Sequence, residues 1–203
     1  RRIPTLSRAA PADTALIRKA ARANRFEGEA GSSFEQFVGD VGTARRILLI
    51  GTGAGSAEDF ERAGAAAVAK LLRSGETHAL VDLSGLAVAP EIDAVMRLAT
   101  ALALRSWRYD IYRTKLAEKA KPSLARVTIA GAGEAAKRAW DRHAAVVAGV
   151  SFTRELVTEP ANVIYPESFV ERCQKLAALG VEIEVLGQSE MEKLGMGALL
   201  GVN

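Results

Sequence analysis

Arg45-Arg46-Ile47-Leu48-Leu49-Ile50-Gly51-Thr52-Gly53-Ala54-Gly55-Ser56-Ala57-Glu58-Asp59-Phe60 is the stretch on which the fold of this chain turns. The run ending at Ile50 reads as a continuous apolar strand of the kind found deep inside α/β sheets. Three glycines then turn the chain. Ser56 comes next as a helix N-cap, and Asp59, three places on, completes a capping box. Phe60, Ala67, Val68, Leu71 and Leu72 fall on the inward side of that helix, and Gly75 stops it.

Outward from this unit the same grammar repeats. His78–Leu83 is a second buried-type strand, and Pro90 suits the first position of the next helix. There Ile92, Val95, Met96, Ala99 and Leu102 recur at three- and four-residue steps, which puts them on one face. Arg126–Ala130 makes a third strand after the polar stretch Thr114–Lys121 closed by Pro122. Glu134 to about Thr158 reads as one long helix, with Trp140, Val147, Val150 and Val157 marking its more buried side. Glu159-Pro160 must break it, because the residue before proline is pushed out of the α region.

Upstream, Asp13–Ala23 is a helix with Asp13 as its cap and Leu16, Ile17 and Ala20 on one face. Phe26–Glu29 and Phe34–Phe37 alternate apolar and polar residues around Gly31-Ser32-Ser33, which predicts a hairpin. Downstream come a helix from Pro166 to about Leu179, a stop at Gly180, an alternating strand over Val181–Leu186, and a short helix boxed by Ser189 and Glu192. Strand, helix, strand, helix, strand, long helix is an α/β domain with a mixed, largely parallel sheet.

The chain has 203 residues, 49% hydrophobic and 25% charged, so it can bury enough apolar surface to offset its ordering entropy. Its apolar runs fall far short of the ~20 residues a bilayer core demands. A single cysteine, Cys173, excludes an internal disulfide framework and fits a reducing compartment. Arg1-Arg2 runs into Ile3-Pro4 rather than an apolar core, so no signal peptide is read, and the expectation is cytoplasmic. No Met stands at position 1. Met196 to Asn203 reads as the opening of an element that does not finish, so a piece of a longer chain is expected.

The net charge of +3 is uneven: residues 1–25 carry +6 and residues 159–203 carry −4. A basic arm could meet nucleic acid or anionic lipid, but biased coding composition explains the arginines equally well. Gly51–Ser56 could cradle a phosphate at a helix N-terminus. Ser56 stands where the dinucleotide fingerprint wants its third glycine, however, and Asp82 lies about 30 residues on instead of ~20. Ala130-Gly131-Ala132-Gly133-Glu134 repeats the turn, so plain strand-to-helix geometry is the preferred reading. Leu104–Lys115 interleaves arginines with Trp107, Tyr109 and Tyr112, either as a single-strand binding groove or, as preferred here, as packing or a subunit contact. His78 and His143 lie on different elements with no Cys or carboxylate at ligand spacing. Cys173 has no nearby histidine, and Glu182, Glu184, Glu190 and Glu192 read as solvated surface. No catalytic, cofactor-binding or metal-ligating residue is read in this chain.

Arg154-Glu155-Leu156-Val157-Thr158-Glu159-Pro160-Ala161-Asn162-Val163-Ile164-Tyr165-Pro166-Glu167 closely resembles the entry to the catalytic domain of leucyl aminopeptidases, the cytosol aminopeptidase family. Val181–Leu186 and Leu194–Val202 resemble the next segments of that domain. Arg25–Gly28, Ile47–Gly53 and Arg105–Lys115 resemble the family's N-terminal domain, so the likeness spans most of residues 25–203. Tyr165 departs from the threonine the family commonly uses to cap the helix at Pro166, which should weaken that cap by about 1 kcal/mol.

The resemblance implies a metallo-aminopeptidase that releases N-terminal residues, leucine among them, from peptides. It implies two divalent ions, zinc or manganese, held by residues beyond Asn203, and a homo-hexamer with the N-terminal domains outside. The expected organisation is a macro-like α/β domain over 1–133, a long linker helix over 134–158, and the opening of an incomplete peptidase domain over 159–203. The 203-residue chain alone is expected to be inactive scaffold. The alternative is a nucleotide- or nucleic-acid-binding α/β module, with no membrane partner in either case.

Overall fold

Pro11–Ala23 forms helix α1 in the computed structural model, which describes residues 6, 10–39 and 44–202. The helix starts two residues before Asp13. Pro11 takes the first turn, where its fixed φ suits the helix and its missing N–H costs nothing. Asp13 therefore does not cap; it sits inside the first turn, where its charge favours the positive helix end. Arg1, Arg2 and Arg8 of the basic arm lie outside the described residues.

The hairpin expectation is corrected. Strand β1 (Ser33–Val38) pairs antiparallel with β2 (Arg45–Ile50), placing Phe34 opposite Leu49 and Phe37 opposite Arg46. Residues 26–29 form no strand. Phe26 N–H instead closes α1 on the Ala21 carbonyl, and Gly28 and Gly31 turn the backbone with positive φ. The segment then lies along the glycine turn: Gly31 N–H donates to Gly51 O at 2.9 Å, Gly51 N–H to Ser32 O at 2.8 Å, and Gly53 N–H to Gly28 O at 3.0 Å. A Cβ on Gly51 would drive into the backbone of Gly28 and Glu29, so only glycine fits there. Alternation identified a strand at Phe34–Phe37 but could not name its partner. Ile17 and Ala21 of α1 pack with Phe34, Val38 and Leu49 as a small separate core.

Helix α2 (Ala57–Leu71) carries the capping box read from the sequence. Its inner face meets helix α3 (Ile92–Ser106), and Phe60, Val68, Leu72, Val95, Met96, Leu98 and Leu102 fill the main core between and beneath them. Leu71 is half-buried and Ile92 exposed, so each expected stripe loses one member at its edge. Helix α3 begins two residues after Pro90, with Glu91 as N-cap. At Gly64 the two helices come so close that a Cβ would sit 2.5 Å from the Leu98 carbonyl oxygen.

Strand β3 (His78–Asp82) pairs in parallel with β4 (Arg126–Ala130), His78 opposite Arg126 and Asp82 opposite Ala130. The connection passes through α3, as a parallel pair requires a long crossover. The described strands thus form one antiparallel and one parallel two-stranded sheet in a mixed α/β fold.

Helix α4 (Gly133–Thr158) runs 26 residues and stops before Glu159-Pro160. Ala136 is its one buried residue, among those described. Trp140, Val147 and Val150 are half-buried while Val157 is 80% exposed, so the expected stripe fades along the helix.

By its backbone contacts the chain divides into two compact units, Arg1–Phe152 and Thr153–Asn203. In the second, helix α5 (Pro166–Gln174) continues as a 3₁₀ turn over Lys175–Leu179 and ends at Gly180, whose φ of 86° is the left-handed stop glycine supplies cheaply. Tyr165 is not left to begin α5 alone: its N–H donates to Ser168 Oγ at 2.9 Å, and that hydroxyl donates back to Val163 O. The expected strand over Val181–Leu186 has no ladder partner among the described residues, and Val181, Ile183 and Val185 are exposed. Helix α6 (Gln188–Lys193) is capped two residues earlier than read, with Glu190 accepting from Gly187 N–H in place of Ser189 with Glu192. Helix α7 (Gly197–Leu200) closes the described chain. No described hydrophobic residue of this unit is buried.

Candidate functional site

The glycine turn between β2 and α2 is where the sequence offers an anion most, and the structure fills it from within. Asp59 Oδ2 accepts from the N–H groups of Ala54, Gly55 and Ser56 at 2.9, 3.1 and 3.2 Å, while Ser56 Oγ accepts from Asp59 N–H at 3.2 Å. Gly53, at φ 50°, presses its α-carbon side against the same carboxylate. Three converging amides make the concavity that elsewhere receives phosphate. Here a carboxylate three residues into the capping box already occupies it.

Desolvation pushes the Asp59 carboxyl upward, but the amides of Ser56, Ala54 and Gly55 together outweigh it and hold the group below the ordinary aspartate range. A carboxyl depressed on folding stabilises the native state above its unfolded value, near pH 4, and loses that contribution as pH falls through the lower folded value. The unfolding midpoint of Asp59→Asn should therefore trail the parent protein at pH 6, and the gap should narrow as pH falls below about 4. A gap that stays constant across that range contradicts the capping role. Ser56→Ala should cost about 1 kcal/mol at neutral pH in the same urea titration.

The second glycine turn, between β4 and α4, is also set by backbone packing. Gly131 has φ 81°, and a Cβ there would lie 2.6 Å from the Ser84 nitrogen, so the loops after β3 and β4 pass in contact. Asp82, the acid weighed for a ribose, accepts from the N–H and hydroxyl of Ser84 instead.

The aromatic stretch after α3 packs on itself. Trp107 and Tyr109 stack with centroids 6.0 Å apart, and Tyr109 meets Tyr112 edge-on at 6.1 Å. Arg108 and Arg113 both reach the Asp110 carboxylate, at 3.2 and 3.5 Å. Rings spent on each other and arginines spent on an aspartate suit a packing role better than a base-stacking platform.

The remaining candidates are scattered. His78 Nε2 lies 2.8 Å from Thr128 Oγ1 across the β3–β4 pair, and His143 Nδ1 lies 3.3 Å from Thr100 Oγ1. Cys173 is a half-buried free thiol in α5. Glu182, Glu184, Glu190 and Glu192 are exposed, and Glu192 accepts from Gln188 Nε2. Glu159, its side chain only 5% exposed, pairs with Arg172 at 2.7 Å and ties the end of α4 to α5. Among the described residues, no three His, Cys, Asp or Glu side chains come together where they could hold a metal ion.

One cavity of about 630 Å³ opens between α3, β4 and the first turns of α4. Val68, Val95, Met96, Leu102 and Ala136 line its floor, and Arg126, Glu134 and Lys137 stand at its exposed rim. All five floor residues are apolar, so the floor offers no group to orient or activate a reactant. Sequence reasoning missed this cavity, since its walls come from four elements, from Val68 of α2 to Trp140 of α4. It also missed the three-amide grip of Asp59, for which only the Ser56–Asp59 spacing was legible.

Comparison with known proteins finds one family along both parts of the chain. Residues 5–116 match the model of the cytosol aminopeptidase family N-terminal domain, and residues 151–203 match that of the family's catalytic domain. A "probable cytosol aminopeptidase" of Afipia carboxidovorans is 40% identical over 193 residues, which is 93% of this chain and 38% of that protein. Its namesake in Rhizobium johnstonii is 37% identical over 92% of this chain and 38% of its own length. This chain therefore spans well under half the length of the curated relatives it matches. Among solved structures, a mutant of tomato leucine aminopeptidase superposes with a TM-score of 0.74 at 25% identity, covering 89% of this chain and 36% of the tomato chain. The bottromycin maturation enzyme BotP, in complex with manganese, gives 0.69 at 24% identity, over 87% of this chain and 37% of its own; at that identity the likeness speaks for the fold alone. Among the described residues no helix is long and apolar enough to cross a membrane. With the family's N-terminal domain matched over more than half of the chain and its catalytic domain next in order, this chain belongs to the cytosol aminopeptidase family.

Proposed function

We propose that this chain is the N-terminal region of a metal-dependent leucyl aminopeptidase, which releases N-terminal amino acids from peptides in the cytoplasm. The observation that carries the reading is the ordered pair of family matches, 5–116 and 151–203, within one chain. On this reading residues 1–133 are the N-terminal domain, 134–158 the linker helix, and 159–203 the opening of the peptidase domain. The segment serves as scaffold and contributes to a homo-hexamer.

In such an enzyme a pair of divalent ions, manganese or zinc, activates a water and polarises the scissile carbonyl. The described residues bring together no ligand set for them, so no catalytic step is assigned to any residue here. What the chain does contribute is rigidity. The capping box and the glycine turns set the exits of α2 and α4 from their strands, and within the second unit the Glu159–Arg172 pair ties the end of α4 to α5. The Asp59 carboxylate on the turn amides weighs against the nucleotide-binding alternative, because a phosphate would have to displace it.

A leucine-anilide assay with added manganese tests the proposal. The purified 203-residue chain should give no turnover above buffer, whereas a chain extended to the full length of the relatives should turn over. Hydrolysis by the 203-residue chain would relocate the active site into it. Inactivity of the extended protein on leucine, alanine and methionine anilides would overturn the peptidase reading.

A further inference from the structure

We draw no further inference here: the strongest candidate, the apolar-floored cavity between α3, β4 and the first turns of α4, carries nothing because nothing in the structure shows what covers or occupies it.

Discussion

Phe60→Ala is expected to destabilise the first unit by about 3–5 kcal/mol, the range for emptying a buried phenylalanine site. Phe60 is 3% exposed and stands on the first turn of α2, where it joins Val95, Leu98 and Leu72 in the main core. Removing the ring forfeits its transfer free energy. It also leaves a void that two helices anchored at both ends cannot close. Against a whole-domain stability of roughly 5–15 kcal/mol the loss is a large fraction. Trp107 and Trp140 both lie in the first unit, so urea titration monitored by tryptophan fluorescence reads the loss as a lower midpoint. Ile111→Ala is the control: Ile111 is 65% exposed, and its substitution should move stability by no more than about 0.5 kcal/mol. If Phe60→Ala costs no more than Ile111→Ala, the core has been assigned to the wrong helix face.

Gly64→Val should cost about 1–3 kcal/mol or more, although any residue but proline normally improves a helix over glycine. Glycine in mid-helix gives up roughly 1 kcal/mol relative to alanine, so an open site would reward substitution. This site is closed. An added Cβ would stand 2.5 Å from the backbone oxygen of Leu98 and 3.2 Å from the Ala101 Cβ, and a backbone carbonyl inside α3 cannot swing aside as a side-chain tip can. Valine adds two further methyl groups to the same contact, forcing α2 and α3 apart along the whole face that buries Ala63, Ala67 and Val68. Gly64→Ala separates the two terms. It should still destabilise, by less than valine, and a stabilised alanine variant would mean that the helices do not meet here.

The candidate site was legible in part. The segment that carries the family likeness most clearly, Arg154–Glu167, holds a helix end, a proline break and the carboxylate that pairs with Arg172. Family membership could be read there because several separated segments fall in the family's order. The cavity could not, since a cavity is the space left between elements and has no sequence of its own.

What the sequence determined alone is the set of features written by residues within four or five places of one another. Strands β2 and β4 fall at Arg45–Ile50 and Arg126–Ala130 as read. The Ser56–Asp59 box opens α2, and Glu159-Pro160 ends α4. Each rests on short-range hydrogen bonding or on the sterics of one peptide unit, which the local sequence states in full. Only the tertiary structure decided that β1 pairs with β2, that Gly64 is a contact and not a weak point, and that the buried side of α4 ends at Ala136. It also left Val181–Leu186, alternating as a strand should, without a ladder among the described residues. Pairing and burial are properties of two surfaces meeting, and alternation or helical period names one surface without naming the other.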